Sequence, residues 1–264
     1  MRIGIFDSGV GGLTVVKELF KLVPGVEVFY FADTLNMPYG NKKKEEIMEY
    51  ASKIVRFLTL YNPELIISAC GTVSSVLDDM HLSNQIIGVI NSSCYAASEV
   101  TKNGNIGVIA TSFSIESCQY SKCLLEIDKK FKVFSESCPS LAGIIEDGDI
   151  RKEDSEIVEY MNLHVKSLKE HNIDTLILGC THYPVFKSLI SKIFKGVSIV
   201  DSGLETAKYV AEILNDKFRG RVLSEISGKN KLKIFVTQKR KNFVLNASNL
   251  VGFDVSRDVV FVCL

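Results

Sequence analysis

Neither sign of charge prevails in this 264-residue chain, where 31 lysines and arginines face 31 aspartates and glutamates. A neutral total supplies no global attraction to nucleic acid or to an acidic membrane surface. Long apolar runs are missing too; none approaches the roughly 18 to 20 residues needed to span a bilayer. Residues 1–6 run straight into the charge of Asp7, too early for a secretory signal. A cytoplasmic protein without nucleic-acid or membrane partners is expected. The seven cysteines are odd in number and contain no Cys-x-x-Cys pair, so structural disulfides are not expected in a reducing compartment. Histidines number only four. Cys180 and His182 supply at most half of a zinc site, which needs three or four ligands, so no metal is expected. No long Pro- or Ser-rich linker interrupts the chain, whose length suits one large domain or two small ones.

What recurs is the short apolar run rich in β-branched residues. Such runs fall at residues 2–6, 27–31, 65–69, 86–89, 106–110, 176–179 and 197–200, with a further strand at 232–236. Several show no alternation, which suits parallel strands covered by helices on both faces. Between them lie helical patterns. Residues 43–61 place Ile47, Ala51, Ile54, Val55 and Leu58 on one face, and residues 155–171 do the same with Ile157, Met161, Val165 and Leu168. The alternation predicts an α/β fold with largely parallel sheets.

Two internal echoes point to two similar halves with the active site in the cleft between them. Leu65 to Thr72 resembles Leu176 to His182, each a strand ending in a cysteine followed closely by threonine. Phe6-Asp7-Ser8-Gly9 resembles Val200-Asp201-Ser202-Gly203. Lys102-Asn103-Gly104-Asn105 reads as a turn near the boundary. The expected division is 1–98 plus 208–264 for one half and 99–207 for the other. The basic stretch 219–241 is read as a solvated surface, because Glu225 and the neutral total oppose a strong positive field.

Ligands of open α/β sheets bind beyond the carboxyl ends of the strands. Four segments fall there: 7–12, 70–72, 111–114 and 180–182. The first is glycine-rich before a helix-like run, but its spacing is neither that of a dinucleotide fingerprint nor that of a P-loop, and Asp7 would repel phosphate. Gly9, Gly11 and Gly12 are read as letting the strand turn tightly. Cys70 and Cys180 share one placement, after a buried strand and just before or near a threonine. Buried free cysteines are ordinarily small hydrophobes, so the shared placement is what singles these two out. His182 stands where it can relay a proton at neutral pH. A scheme with one nucleophilic cysteine would leave the second, symmetric one idle.

At this point the chain resembles the glutamate racemases. The resemblance rests on Phe6-Asp7-Ser8-Gly9-Val10-Gly11-Gly12-Leu13-Thr14-Val15, Ala32-Asp33-Thr34 with Met37-Pro38-Tyr39-Gly40, Ala69-Cys70 with Thr72, and Gly179-Cys180-Thr181-His182-Tyr183-Pro184. Cys138-Pro139 with Glu146-Asp147-Gly148, and Val200-Asp201-Ser202-Gly203 with Glu205-Thr206-Ala207, match in order and spacing. The resemblance implies racemization of L- and D-glutamate without cofactor, in bacteria a supply of D-glutamate for peptidoglycan, and a homodimer. It implies Cys70 and Cys180 as paired proton-transfer thiols, with Asp7 assisting near Cys70 and His182 and Glu146 near Cys180. Asp7, Ser8, Pro38, Tyr39, Gly40, Gly71, Thr72, Ser114 and Thr181 are the implied substrate contacts. One departure stands out: the family normally has asparagine after the first cysteine, and here Gly71 follows Cys70. Gly71 is read either as a lost amide contact or as room for another substrate, such as aspartate. A catalytically weak binding or regulatory paralogue is the third reading. On the first of these views, Gly71→Asn should raise glutamate activity.

Overall fold

A computed structural model describes residues 1–80, 82, 86–148, 155–217 and 228–264. The strands are β1 (Arg2–Asp7), β2 (Glu27–Ala32), β3 (Leu65–Ser68), β4 (Ile86–Gly88), β5 (Asn105–Ala110), β6 (Lys132–Ser137), β7 (Thr175–Leu178), β8 (Ser198–Asp201), β9 (Lys231–Val236) and β10 (Val259–Phe261). They form two sheets, ordered β10-β9-β2-β1-β3-β4 and β6-β5-β7-β8. The strand pairs are parallel throughout, as the unalternating apolar runs predict. The fold is therefore α/β with two parallel sheets. Each sheet changes direction of winding at its middle, between β1 and β3 in one and between β5 and β7 in the other. Those are the topological switch points at which α/β sheets bind ligands.

The helix Lys44–Thr59 buries the face read from the sequence, Ile47, Ala51, Ile54, Val55 and Leu58. It packs on Phe6, Phe29, Phe31 and Phe235 of the larger sheet. The other face of that sheet meets the helix Leu13–Leu22, whose Leu13, Val15, Val16 and Leu19 are buried. That helix lies against Ser202–Lys217, which also packs on the helix Val89–Val100. One hydrophobic core therefore runs from Ile3 and Ile5 in the first sheet to Leu176 and Leu178 in the second.

Three features differ from the sequence reading. The pattern at 155–171 is not one helix but two, Ser155–His164 and Lys166–Glu170, interrupted at Val165 with φ −101° and ψ 6°. Met161, Val165 and Leu168 are all buried, so the break keeps the apolar face on the core. Strands β6 and β10 have no counterpart in the sequence reading; both are edge strands, half-buried or exposed, and β6 is of mixed polarity whereas β10 opens the apolar run 259–264. In the basic stretch, residues 219–227, Glu225 among them, lie outside the described residues, as does His81. Within the described part, Lys233 sits 5.9 Å from the ring centre of Tyr61 and 5.4 Å from that of Phe235, covering aromatic surface. Gly104 takes φ +76° in the turn that enters β5.

Candidate active site

The carboxyl ends of both sheets converge on one narrow cavity of about 30 Å³. Asp7 and Ser8 reach it from the end of β1, Cys70, Gly71 and Thr72 from the end of β3, Thr111 from β5, and Gly179 to His182 from β7. Pro38, Tyr39 and Gly40 close one side and Ala142 another. Of the seven cysteines, Cys70 and Cys180 line this cavity, at 6% exposure each. The two thiols thus come from different sheets and share one chamber.

Their surroundings differ in sign. On the Cys180 side, Sγ lies 3.5 Å from His182 Nδ1, and His182 Nε2 lies 2.7 Å from Glu146 Oε1. His182 and Glu146 are both buried, so this line of thiol, imidazole and carboxylate is shielded from solvent. Burial alone would push His182 down, but the Cys180 sulfur and the Glu146 carboxylate outweigh it and raise its pKa well above the ordinary range. On the Cys70 side the charge that weighs most is that of an anion. Burial first, and the Asp7 carboxylate second, push the Cys70 thiol upward. Asp7 is itself raised by burial, against the pull of His182 and of the Thr181 hydroxyl. One thiol is therefore held protonated while the other has a cation to pair with, the asymmetry that coupled proton donors and acceptors need.

Hydrogen bonds across the cleft hold this geometry. Thr181 Oγ1 donates to Asp7 Oδ2 at 2.8 Å, Val10 N donates to Glu146 Oε1 at 2.7 Å, and Thr14 Oγ1 donates to the Thr181 carbonyl at 3.1 Å. Ser8 N donates to Asp7 Oδ1 at 2.5 Å. The glycines of the 8–12 loop, where β1 turns into the helix Leu13–Leu22, also allow close approach. A Cβ at Gly9 would overlap the Glu146 carboxylate, and one at Gly11 would overlap the His182 ring. Neither has a positive φ.

Most of the residues singled out in the sequence meet here: Asp7, Ser8, Pro38, Tyr39, Gly40, Cys70, Gly71, Thr72, Cys180, Thr181 and His182 all line the cavity. Glu146 stands one layer behind, through His182. Ser114 also stands behind the wall; its Oγ is 2.9 Å from Thr111 Oγ1, which in turn is 3.0 Å from Thr72 Oγ1. Thr111, Ala142 and Gly179 are wall residues not picked individually. Thr111 had a signal, since it follows β5 as Cys180 closely follows β7; Ala142 had none. Tyr39, which also lines the cavity, spends its hydroxyl on Asp33, donating to Oδ2 at 2.6 Å. Gly71 does not open room. A Cβ there would overlap the Gly179 carbonyl oxygen, so the space that a side chain would fill is occupied by the opposite half. An asparagine at 71 would need this contact to shift.

Among the described residues, no group of three or more histidines, cysteines, aspartates or glutamates is arranged to hold a metal ion, and no helix is long and apolar enough to cross a membrane. Parallel sheets meeting at their switch points around two buried thiols and a histidine–carboxylate pair define an α/β enzyme. Comparison with known proteins narrows that class. The Asp/Glu/Hydantoin racemase family profile matches residues 7–210. The chain is 37% identical to a glutamate racemase of Thermoanaerobacter sp. (strain X514), over 95% of this chain and 93% of that one. It is 38% identical to a glutamate racemase of Persephonella marina, over 97% and 95% of the two chains. Among solved structures, a glutamate racemase isoform from Bacillus anthracis superposes with a TM-score of 0.90 at 34% identity, covering 100% of this chain and 97% of that one. The Francisella tularensis glutamate racemase in complex with D-glutamate superposes with a TM-score of 0.88 at 28% identity, covering 99% and 97%. The chain belongs to the Asp/Glu/Hydantoin racemase family and is an isomerase.

Proposed function

We propose that this enzyme interconverts L- and D-glutamate by proton transfer between two thiols, without a cofactor. The observation that carries the proposal is that Cys70 and Cys180, from different sheets, line one cavity with ionisable partners of opposite sign. A single base returns a proton to the face it came from; inversion needs an acid on the opposite face. In the L-to-D direction, Cys180 as thiolate removes the α-proton while the protonated Cys70 delivers its own from the other side. In the D-to-L direction the roles exchange. His182, held by Glu146, stabilises the Cys180 thiolate as imidazolium. Asp7 favours the protonated form of Cys70, and in the D-to-L direction its carboxylate takes the Cys70 proton so that the sulfur can act as the base. Ser8, Pro38, Tyr39, Gly40, Gly71, Thr72 and Thr181 form the wall around the amino acid, with Ser114 supporting it through Thr111.

Glutamate is the substrate favoured by the likeness to relatives that bear that name and to a solved relative holding D-glutamate. The crowding at Gly71 removes the argument that this position makes space for something different. The proposed setting is the cytoplasm, the proposed role the supply of D-glutamate for peptidoglycan, and the proposed assembly a homodimer. The proposed units are 1–98 plus 208–264 and 99–207, with the chain returning to the first unit within the helix Ser202–Lys217. The test is purified protein with L-glutamate in D₂O and no added cofactor, followed by chiral separation and proton NMR. D-Glutamate carrying deuterium at Cα is expected. Absence of both inversion and α-exchange with glutamate would overturn the reading.

A further inference from the structure

We propose that Cys94 and Cys123 form a redox site, a dithiol that a small hydroperoxide converts reversibly to a disulfide, and that closing this bond slows the active site. The two residues lie on helices that pack directly on each other, Val89–Val100 and Gln119–Ile127. Neither lines the active-site cavity. Their side chains interleave. Cys94 Sγ lies 3.8 Å from the carbonyl oxygen of Tyr120, about one turn before Cys123. Cys123 Sγ lies 3.5 Å from Asn91 Oδ1, about one turn before Cys94. The two thiols are in hydrogen-bond contact with each other.

The two sulfurs are unequal in the way such a pair requires. Cys94 is fully buried, whereas Cys123 is half-buried. Cys123 opens onto a second cavity of about 190 Å³, walled by Asn91, Gln119, Lys122 and Glu126. A small oxidant can therefore reach Cys123 first, with Cys94 behind it. The hydrogen bond with Cys94 draws the Cys123 thiol below its ordinary range, against burial and the charges of Glu126 and Asp78. Accessible thiols of lowered pKa beside a resolving cysteine are those that oxidise selectively. Disulfides that do form in a reducing compartment are mostly transient and redox-sensing.

The chemistry balances in two steps. The Cys123 thiolate attacks the hydroperoxide, so an S–O bond forms and the O–O bond breaks. The alcohol, or water for hydrogen peroxide, leaves with the proton that Cys123 gave up. The Cys94 sulfur then attacks the Cys123 sulfur. The S–S bond forms, the S–OH bond breaks, and water leaves with the Cys94 proton. The sulfurs lose two electrons and the peroxide gains them; a dithiol reductant reverses the change.

The bond would be felt at the active site through Tyr120. Its carbonyl touches Cys94, and its buried hydroxyl donates to the Gly179 carbonyl at 3.1 Å, directly before Cys180. A covalent bond is shorter than the hydrogen bond it replaces. Closing it draws the helix Gln119–Ile127 onto Val89–Val100, and Tyr120 moves with its helix. The helix Val89–Val100 is also the passage from the larger sheet to the smaller, and its Ser92 Oγ is 2.9 Å from Thr206 Oγ1 of Ser202–Lys217.

The experiment treats the reduced protein with hydrogen peroxide, alkylates the remaining thiols and digests it at Lys122 and Asp79. Those cuts separate Cys123 from Cys118 and Cys94 from Cys70. A linked pair of peptides carrying Cys94 and Cys123, lighter by two hydrogens and released by dithiothreitol, is expected. Cys123→Ser should yield no such pair. In Cys94→Ser the oxidation should stop at a sulfenic acid on Cys123, which dimedone traps. Failure to form the 94–123 link, or oxidation of the exposed Cys118 and Cys263 ahead of Cys123, would overturn the site. Wild-type protein linked at 94–123, with Cys70 and Cys180 still reduced by mass, should show a loss of kcat/KM that dithiothreitol restores. An unchanged kcat/KM in that material would overturn the control of the active site. The peptide link is read without substrate, so it stands or falls apart from the glutamate reading, on which only the activity measurement rests.

Discussion

Replacing Glu146 by glutamine tests the electrostatic half of the mechanism. Glu146 is 3% exposed, and its Oε1 accepts from both His182 Nε2 and Val10 N at 2.7 Å. Glutamine keeps an acceptor oxygen of similar shape but loses the charge. Charge-assisted hydrogen bonds are roughly twice as strong as neutral ones, so the loss is about 1 to 2 kcal/mol from the imidazolium. That corresponds to about a 5- to 30-fold smaller population of the Cys180 thiolate–imidazolium pair. The two enantiomers have equal free energy, so kcat/KM must fall by the same factor in both directions. The individual kcat and KM values are free to become unequal. The pH dependence gives a second, independent readout. His182 is raised in the folded state, so the stability that its protonated form contributes is fully present below the unfolded value near 6.5 and is lost as pH rises through the raised value. Glu146→Gln should move that loss, and the alkaline limb of kcat/KM, to lower pH. Polarimetric assays in both directions across pH, with chemical denaturation at the same pH values, measure both effects. An unchanged kcat/KM together with an unmoved alkaline limb would refute the role given to the carboxylate.

Three further outcomes are expected. Asp7→Asn should stabilise the fold near neutral pH, because burial raises the Asp7 carboxyl and its ionisation opposes folding there; the sign follows from the raised value, so the gain should vanish below pH 3.8, where both states are protonated. Denaturant midpoints across pH check this, and a gain that persists at low pH would show another cause. Cys70→Ser and Cys180→Ser should each abolish inversion while leaving the unfolding midpoint near that of wild type; an active single variant, measured by chiral chromatography, would sink the two-thiol scheme. Gly11→Ala should displace the His182 ring and lower kcat/KM on the order of 10²-fold, whereas Ile54→Ala, buried away from the cavity, should cost about 2 to 5 kcal/mol of stability with KM unchanged.

Local pattern carried the fold far. Apolar runs without alternation announced buried parallel strands, and the helical face of Ile47, Ala51, Ile54, Val55 and Leu58 was legible because a helix repeats its buried side at a fixed period. The edge strand β6 was not legible, because a strand half open to water needs no apolar signature; β10, in the apolar run 259–264, was legible and was passed over. The break at Val165 was hidden for a related reason: the residues on both sides of it still face the core.

The sequence by itself determined which chemical groups stand at strand ends: the carboxylate of Asp7, the thiols of Cys70 and Cys180, and the hydroxyls and imidazole beside them. Chain connectivity and side-chain period are enough for that, since each group ends its own strand or closely follows it. Only the tertiary structure decided that the two thiols share a cavity, that Glu146 reaches both His182 and Val10, and that Gly71 abuts the Gly179 carbonyl. Those contacts join segments far apart in the chain through the docking of one sheet against another, and docking leaves no periodic trace in either segment.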